Sequence, residues 1–194
     1  MAANCRHLTL PLIGAWWSLS PAFLILWIPG GFRATCYYYR KAYYRSFFGA
    51  PPGCAVRDRR RRYTGETRFP FLLQNVHRYF FWLSLLVLAF LWWDAALAFN
   101  FGGRVGMGAG TVVLLVNAGL LSLYSLSCHS CRHLCGGRVN VFSRAPAQRF
   151  LWRLVSRLNE RYMLFAWISL IWVGLTDVYV RLLSMGIIRD VRLF

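Results

Sequence analysis

Four long apolar segments constrain the fold more than any other feature of this sequence. They predict helices over about 20–44, 74–99, 107–135 and 150–185. A helix needs about 20 apolar residues to cross the roughly 30 Å hydrocarbon layer of a bilayer. Hydrophobic residues make up 58% of the 194-residue chain and charged residues only 15%, too few for a soluble domain of this size. The sequence predicts an all-α, polytopic membrane protein with a bundle of about four transmembrane helices, forming one domain over residues 1–194.

Basic residues are concentrated in two of the connections between these segments. Arg33–Arg68 contains ten of them and Cys128–Arg161 contains seven, whereas five lie on the opposite side. The positive-inside rule therefore places loops over about 45–73 and 136–160 in the cytoplasm and both termini outside. The net charge of +17 follows from membrane topology, and no nucleic-acid partner is expected. No signal peptide is expected either, because no small-residue cleavage site follows the first apolar run.

Cysteine and histidine are concentrated at the predicted cytoplasmic end of the third segment. Residues Cys128–Cys135 contain three cysteines and two histidines, and Cys36, Cys54 and His77 are predicted on the same side of the membrane. The cytoplasm keeps thiols reduced, so disulfides are the less favoured use. Thiolate and imidazole together bind zinc or iron–sulfur clusters, and histidine alone binds heme. The pattern favours a metal or cluster site over small apolar fillers.

One continuous helix would present these ligands in two directions. At about 100° per residue, the cysteines of this segment share one sector, while the histidines lie about 100° away. The two stripes are Cys128, Cys131 and Cys135, and His129 and His133. A four-ligand site would therefore need further ligands from the first helix, the first cytoplasmic loop or the second helix.

The inner end of the first helix is rich in arginine and tyrosine. Arg33 lies twelve residues past Pro21, about 18 Å along a helix. A guanidinium at that depth is costly unless it is paired or solvated, which makes Arg33 a functional candidate. Its guanidinium can donate hydrogen bonds to a quinone carbonyl, to the sulfides of a cluster or to a cofactor carboxylate. Snorkelling to the inner headgroups is the alternative.

Two acidic residues lie within the apolar segments. Asp94 is near the outer end of the second and Asp177 is in the fourth, four residues from Arg181. A proton path through these acids is one hypothesis. A salt bridge near the outer surface is the favoured interpretation of the Asp177–Arg181 pair.

Four stretches together resemble the membrane-anchor subunit of a bacterial succinate dehydrogenase (respiratory complex II), in a subclass without heme. They are GFRATCYYYRKAYYR at Gly31–Arg45, RYTGETRFP at Arg62–Pro70, NVHRYF at Asn75–Phe80 and SCHSCRH at Ser127–His133. Members of this subclass carry a further helix ahead of the first one predicted here.

The resemblance implies an electron-transferring anchor that is not catalytic alone. It would hold the flavoprotein and iron–sulfur subunits at the cytoplasmic face of the bacterial plasma (inner) membrane, with room for a further small anchor subunit. Electrons from succinate would pass through a Rieske-type [2Fe–2S] cluster with Cys and His ligands to a quinone. The quinone that the resemblance implies is menaquinone. The expected cluster ligands are Cys128, Cys131, His77 and His133, with Cys36, Cys54 and His129 as alternatives. The expected quinone-binding residues are Arg33, Tyr37, Tyr38, Tyr39 and Arg40.

Two alternatives use the same residues differently. In the first, one or two b-type hemes are ligated by His77 with His129 or His133. In the second, the chain is a structural membrane protein whose Cys and His residues bind zinc. The optical spectrum and the metal content of the purified protein distinguish the three.

Overall fold

A computed structural model of the chain describes residues 22–36, 38–39, 72–101, 104–136, 139 and 142–193. The six α-helices within these residues are α1 (Ala22–Thr35), α2 (Leu72–Leu97), α3 (Ala109–Leu126), α4 (His129–Gly136), α5 (Pro146–Glu160) and α6 (Tyr162–Ser184). A short antiparallel hairpin pairs β1 (Asn100–Phe101) with β2 (Arg104–Val105), and a 3-10 helix covers Phe142–Arg144. The predicted all-α class is confirmed. Tyr37, Arg40, Cys54 and most of the predicted loop over 45–73 lie outside the described residues.

Three helices are long and apolar enough to cross a membrane. Their spanning portions are Asn75–Leu97, Ala109–Leu126 and Tyr162–Ser184. They correspond to the second, third and fourth apolar segments of the sequence. The first segment is described as the 14-residue helix α1. A count of four spans, with both termini outside, stays a prediction.

The segment predicted as one helix over 107–135 is two helices in the structure, separated at Ser127 and Cys128. The side-chain amide of Asn159, on α5, donates a 2.7 Å hydrogen bond to the Ser127 carbonyl. That carbonyl would otherwise accept the amide of Cys131 in a continuous helix. The Cys131 amide instead donates to the Cys128 Sγ at 3.4 Å. A contact from 32 residues away in sequence therefore satisfies the carbonyl that the break leaves without its helical partner.

The segment predicted as one helix over 150–185 is also divided. It consists of α5 and α6, which meet at Arg161, where the backbone leaves helical geometry at φ −103° and ψ 18°. All of α5 lies in the predicted cytoplasmic loop over 136–160. Its basic residues Arg149, Arg153 and Arg157 make it too charged to lie in hydrocarbon, so only α6 can span the membrane.

The helices pack around α3, which lies between α2 and α6, while α1 packs on α2 and α4 packs on α5. The approach of α1 to α2 depends on Gly31, because a Cβ atom there would overlap the ring of Phe80. The buried aromatic and cysteine cluster of the fold lies where α3 meets α4, and this end of the bundle is called the cysteine end below.

The C-terminal segment closes the opposite end of the bundle. Asp190 accepts hydrogen bonds from the Gly110 amide at 2.8 Å and from the Tyr179 hydroxyl at 2.9 Å. Gly108 forms a bridge with Arg192, so the chain after α6 lies alongside the first turn of α3. A carboxylate at a helix N-terminus also interacts favourably with the helix dipole.

Candidate functional site

Arg33 on α1 links that helix to α6 at the cysteine end. Its guanidinium donates to the Tyr39 hydroxyl at 2.8 Å, to the Ala166 carbonyl at 3.2 Å and to the Ser169 hydroxyl at 3.0 Å. It also lies 4.6 Å from the ring centroid of Tyr124. All of these partners are uncharged, and no carboxylate in the described part of the chain is within ion-pair distance of Arg33. The site therefore retains a net positive charge.

Tyr124 on α3 brings a second polar group to this charge. Its side chain is 1% exposed, and its hydroxyl, which lies near the Cys36 thiol, has no hydrogen bond of standard geometry among the described residues. The ring is stacked on Tyr162, with 5.8 Å between centroids, and meets Phe32 edge-on at 5.4 Å. An unsatisfied buried hydroxyl costs about 1–3 kcal/mol, and such groups in native proteins often mark functional sites.

Three free thiols lie in the same buried cluster. Cys36, Cys128 and Cys131 are buried, and the Cys36 Sγ is hydrogen-bonded to the Tyr162 hydroxyl. Burial raises the pKa of the Cys128 thiol to about 12. Burial, followed by the proximity of Cys135 and Cys128, raises the pKa of Cys131 to about 12. Both are therefore thiols rather than thiolates at neutral pH unless a metal displaces the proton.

His77 on α2 is held in a defined orientation beside this cluster. Its ring is stacked on Phe32 with 4.8 Å between centroids, and its Nδ1 lies 2.9 Å from the Thr35 Oγ1. The Thr35 hydroxyl also contacts the Gly31 carbonyl at 2.7 Å, so the threonine links the His77 ring to the backbone of α1. A ligating histidine in proteins usually has one ring nitrogen fixed by a hydrogen bond in this way.

The other histidines of the predicted ligand set lie on α4. His129 meets the ring of Tyr162 at 5.8 Å between centroids, and His133 is half-buried. Across the described ranges, no three Cys, His, Asp or Glu side chains converge as they do around a metal ion. The predicted set of Cys128, Cys131, His77 and His133 is therefore not brought together in this structure. Their thiols and imidazoles are nevertheless the donor types that a Cys/His-ligated group uses.

The remaining predicted site residues are distributed over the bundle. Tyr38 accepts a 2.9 Å hydrogen bond from the indole of Trp167, on the same side of the fold as Arg33. Asp94 is exposed on α2. Asp177 and Arg181 form a 2.8 Å ion pair with both side chains more than half exposed, as the salt-bridge interpretation expects.

Sequence reasoning missed the residues of α3 and α6 that contact Arg33. Tyr162, Ala166, Ser169 and Thr176 are the buried residues of α6. Their spacing places them on one face of the helix. Small and polar residues at helical spacing inside an apolar run are typical of helix–helix contacts in membranes. That signal was present in the sequence, but it does not say which partner helix the face meets.

Comparisons with known proteins agree with this architecture. A family model described as the actinobacterial succinate dehydrogenase subunit SdhC matches residues 1–186. A chain of the Mycobacterium smegmatis Sdh1 complex in the apo form is 50% identical, with a TM-score of 0.77. The match covers 89% of this chain and 66% of that chain, so the present sequence spans slightly less than two thirds of the solved relative. A search of curated proteins found no match.

These matches and the three apolar spans confirm the predicted multi-pass location in a bacterial membrane. The resemblance to a succinate dehydrogenase membrane subunit is also confirmed at the level of the family, because the family model matches residues 1–186. The chain belongs to the actinobacterial SdhC family, the membrane subunits of succinate dehydrogenase.

Proposed function

We propose that the chain is the quinone-reactive anchor of a succinate dehydrogenase. It holds the flavoprotein and iron–sulfur subunits at the cytoplasmic face and passes electrons from succinate oxidation to menaquinone in the membrane. Membership of the SdhC family and the likeness to a chain of an Sdh1 complex support this proposal. The chain is not catalytic alone, because the oxidation of succinate belongs to its partners.

The observation that carries the proposal is the environment of Arg33. Burying a guanidinium within the membrane costs free energy when all of its acceptors are neutral, so an arginine in this position indicates a functional role. A quinone carbonyl accepts hydrogen bonds, and its oxygen becomes more negative as it is reduced. We expect Arg33 and the buried hydroxyl of Tyr124 to be the donors that stabilise that charge; the guanidinium lies over the Tyr124 ring, and the hydroxyl is buried. Ser169 and the Ala166 carbonyl hold the guanidinium in place.

The test compares two activities of the purified complex. Arg33→Gln should lower electron transfer from succinate to a menaquinone analogue by about tenfold to a hundredfold, as loss of a charge-stabilising donor does elsewhere. Succinate oxidation by a water-soluble dye, which needs no membrane site, should be unchanged. Arg181→Gln is the matched control, because this exposed arginine is paired with Asp177 and should affect neither activity. Full quinone activity in Arg33→Gln would contradict the proposal.

We also propose that the Cys and His residues of the cysteine end hold a Rieske-type [2Fe–2S] cluster in place of heme. Cys36, Cys128 and Cys131 are the buried thiols among the described residues, and the candidate imidazoles are His77, His129 and His133. Such a cluster supplies one-electron transfer at a higher potential than all-cysteine clusters. The chain contributes a buried environment for the sulfurs and, through the Thr35 hydroxyl, a hydrogen bond to Nδ1 that orients the His77 ring.

Analysis of the purified complex for iron, acid-labile sulfide and zinc tests this cofactor. Cluster iron assigned to this subunit, with an anisotropic EPR signal that Cys128→Ser abolishes, is the expected result. Sharp reduced absorption bands would instead indicate heme. Stoichiometric zinc in this subunit without iron would indicate a structural site. Neither alternative outcome would remove the family assignment.

A further inference from the structure

Helix α5 has three distinct faces, one of them packed on the rest of the described chain and two of them exposed. The inner face packs on α4 and the break before it. Val155 is buried there, the Ser156 hydroxyl accepts a 3.1 Å hydrogen bond from Arg132, and Asn159 donates to the Ser127 carbonyl. These contacts fix the rotation of α5 about its own axis and so determine where its other two faces point.

The second face is apolar and exposed. Phe150 is 66% exposed, Leu151 46% and Leu154 47%. At about 100° per residue these side chains share one sector of the helix. Three large exposed apolar side chains in one sector of a short helix form a surface of the kind that binds a protein or a membrane.

The third face is basic. Arg149, Arg153 and Arg157 are spaced four residues apart, which places them in one row along the helix, and all three are exposed. This row borders the apolar face. Glu160 is the one acidic residue among Pro146–Glu160. An apolar face beside a row of arginines is the pattern of helices that lie in the surface of an anionic bilayer.

The position of α5 in the chain favours a lipid partner over a protein partner. Only Arg161 separates its last residue from Tyr162, the first residue of a membrane-spanning helix. The first turn of α6 already exposes Met163 and Leu164, so the end of α5 lies at the level where the membrane begins. A helix of 15 residues, about 22 Å long, therefore stays close to the surface of that leaflet.

We propose that α5 lies in the surface of the leaflet from which α6 enters the membrane and binds anionic phospholipid there. Phe150 and Leu154 insert among the acyl chains, while Arg149, Arg153 and Arg157 contact the phosphate groups. The arginine stems reach from the border of the apolar face to the headgroups. This interaction is separate from the quinone reaction and does not depend on it.

The first experiment measures lipid selectivity in the purified, delipidated complex. Phosphatidylglycerol or phosphatidylcholine is titrated in detergent, and bound lipid is counted by native mass spectrometry. Replacing the three arginines together (Arg149→Gln, Arg153→Gln and Arg157→Gln) should raise the apparent Kd for phosphatidylglycerol at least about tenfold, since each basic residue near the surface contributes to anionic-lipid binding. Phosphatidylcholine binding should not change.

The matched control removes the same number of charges from the opposite end of the bundle. It combines Arg181→Gln, Arg189→Gln and Arg192→Gln, and phosphatidylglycerol binding should remain within about twofold of the unmodified complex, a difference far below the effect expected at a basic membrane surface. Equal losses in the two triple variants, or no loss in the α5 variant, would overturn the proposal.

The second experiment identifies what contacts the apolar face. Its substitution leaves the charge of α5 unchanged. The photoreactive substitution Phe150→p-benzoylphenylalanine is introduced into the complex in nanodiscs containing phosphatidylglycerol. Illumination should add the mass of a phospholipid to this subunit. A cross-link to another subunit or to a second copy of the chain would show that protein covers the face and would overturn the proposal.

Discussion

The close approach of α1 to α2 at Gly31 can be tested with two neighbouring glycines. A Cβ atom at Gly31 would lie 2.8 Å from the Phe80 Cδ1 and closer still to two other atoms of that ring, whereas a Cβ at Gly30 would meet nothing within 4 Å. Both residues follow Pro29 in the same helix. The substitutions Gly31→Ala and Gly30→Ala therefore differ in packing and hardly at all in membrane depth or helix position.

The magnitude follows from two opposing effects. Replacing glycine by alanine within a helix stabilises it by up to about 1 kcal/mol, and this gain is common to both variants. Overpacking a tight contact costs about 1–3 kcal/mol, and this cost applies only to Gly31→Ala, where the ring of Phe80 or helix α2 must move. The free energy of unfolding of Gly31→Ala should therefore be about 1–3 kcal/mol below that of Gly30→Ala.

The assay is equilibrium unfolding of the full chain by SDS in mixed micelles, followed by circular dichroism. A second readout is the environment of His77, because Thr35 positions its imidazole one turn after Gly31. Displacement of α1 should broaden or shift the NMR resonance of that ring in Gly31→Ala and leave it unchanged in Gly30→Ala. Equal stabilities for the two variants would refute the argument that Gly31 sets the distance between α1 and α2.

Two further predictions use matched pairs of residues. Ser169→Ala removes an acceptor of the charged Arg33 and should cost about 1.5–3 kcal/mol of unfolding free energy, whereas Ser122→Ala removes a neutral hydrogen bond and should cost about 0.5–1.5 kcal/mol. The SDS titration measures both, and a larger cost for Ser122→Ala would contradict the role assigned to Arg33. Asp190→Ala should destabilise the chain by about 1.5–3 kcal/mol because two donors lose a charged acceptor, whereas Asp177→Ala breaks an exposed ion pair and should cost less than about 1 kcal/mol. Similar losses in these two variants would contradict the assignment of the C-terminal segment as a support for α3.

Local patterns were sufficient to identify the spanning helices. Each of α2, α3 and α6 lies within an apolar run long enough to cross a bilayer, and transfer of such a run into lipid depends on its own residues. The ends of the helices were less predictable. The break after Leu126 is capped by Asn159, which is remote in sequence, and the predicted register of the cysteines assumed an unbroken helix.

In the candidate site, too, some residues could be predicted from the sequence and others could not. Arg33 was identified because the cost of burying a charge can be judged from its position in an apolar run. Its acceptors could not be identified, because Ser169 lies 136 residues away in sequence and is brought within reach of Arg33 only by the tertiary fold. Tyr124 was missed for the same reason, since only its burial without a partner distinguishes it from other aromatic residues.

The sequence by itself determined that the chain is a helical membrane protein, that its basic connections favour one side, and that cysteine and histidine are concentrated at one end. These properties depend on the composition of single segments and on their transfer between water and lipid. Only the tertiary structure decided where the third segment breaks, which uncharged groups surround Arg33 and which faces of α5 remain uncovered. Those features depend on contacts between residues far apart in the chain, and no pattern within one segment specifies them.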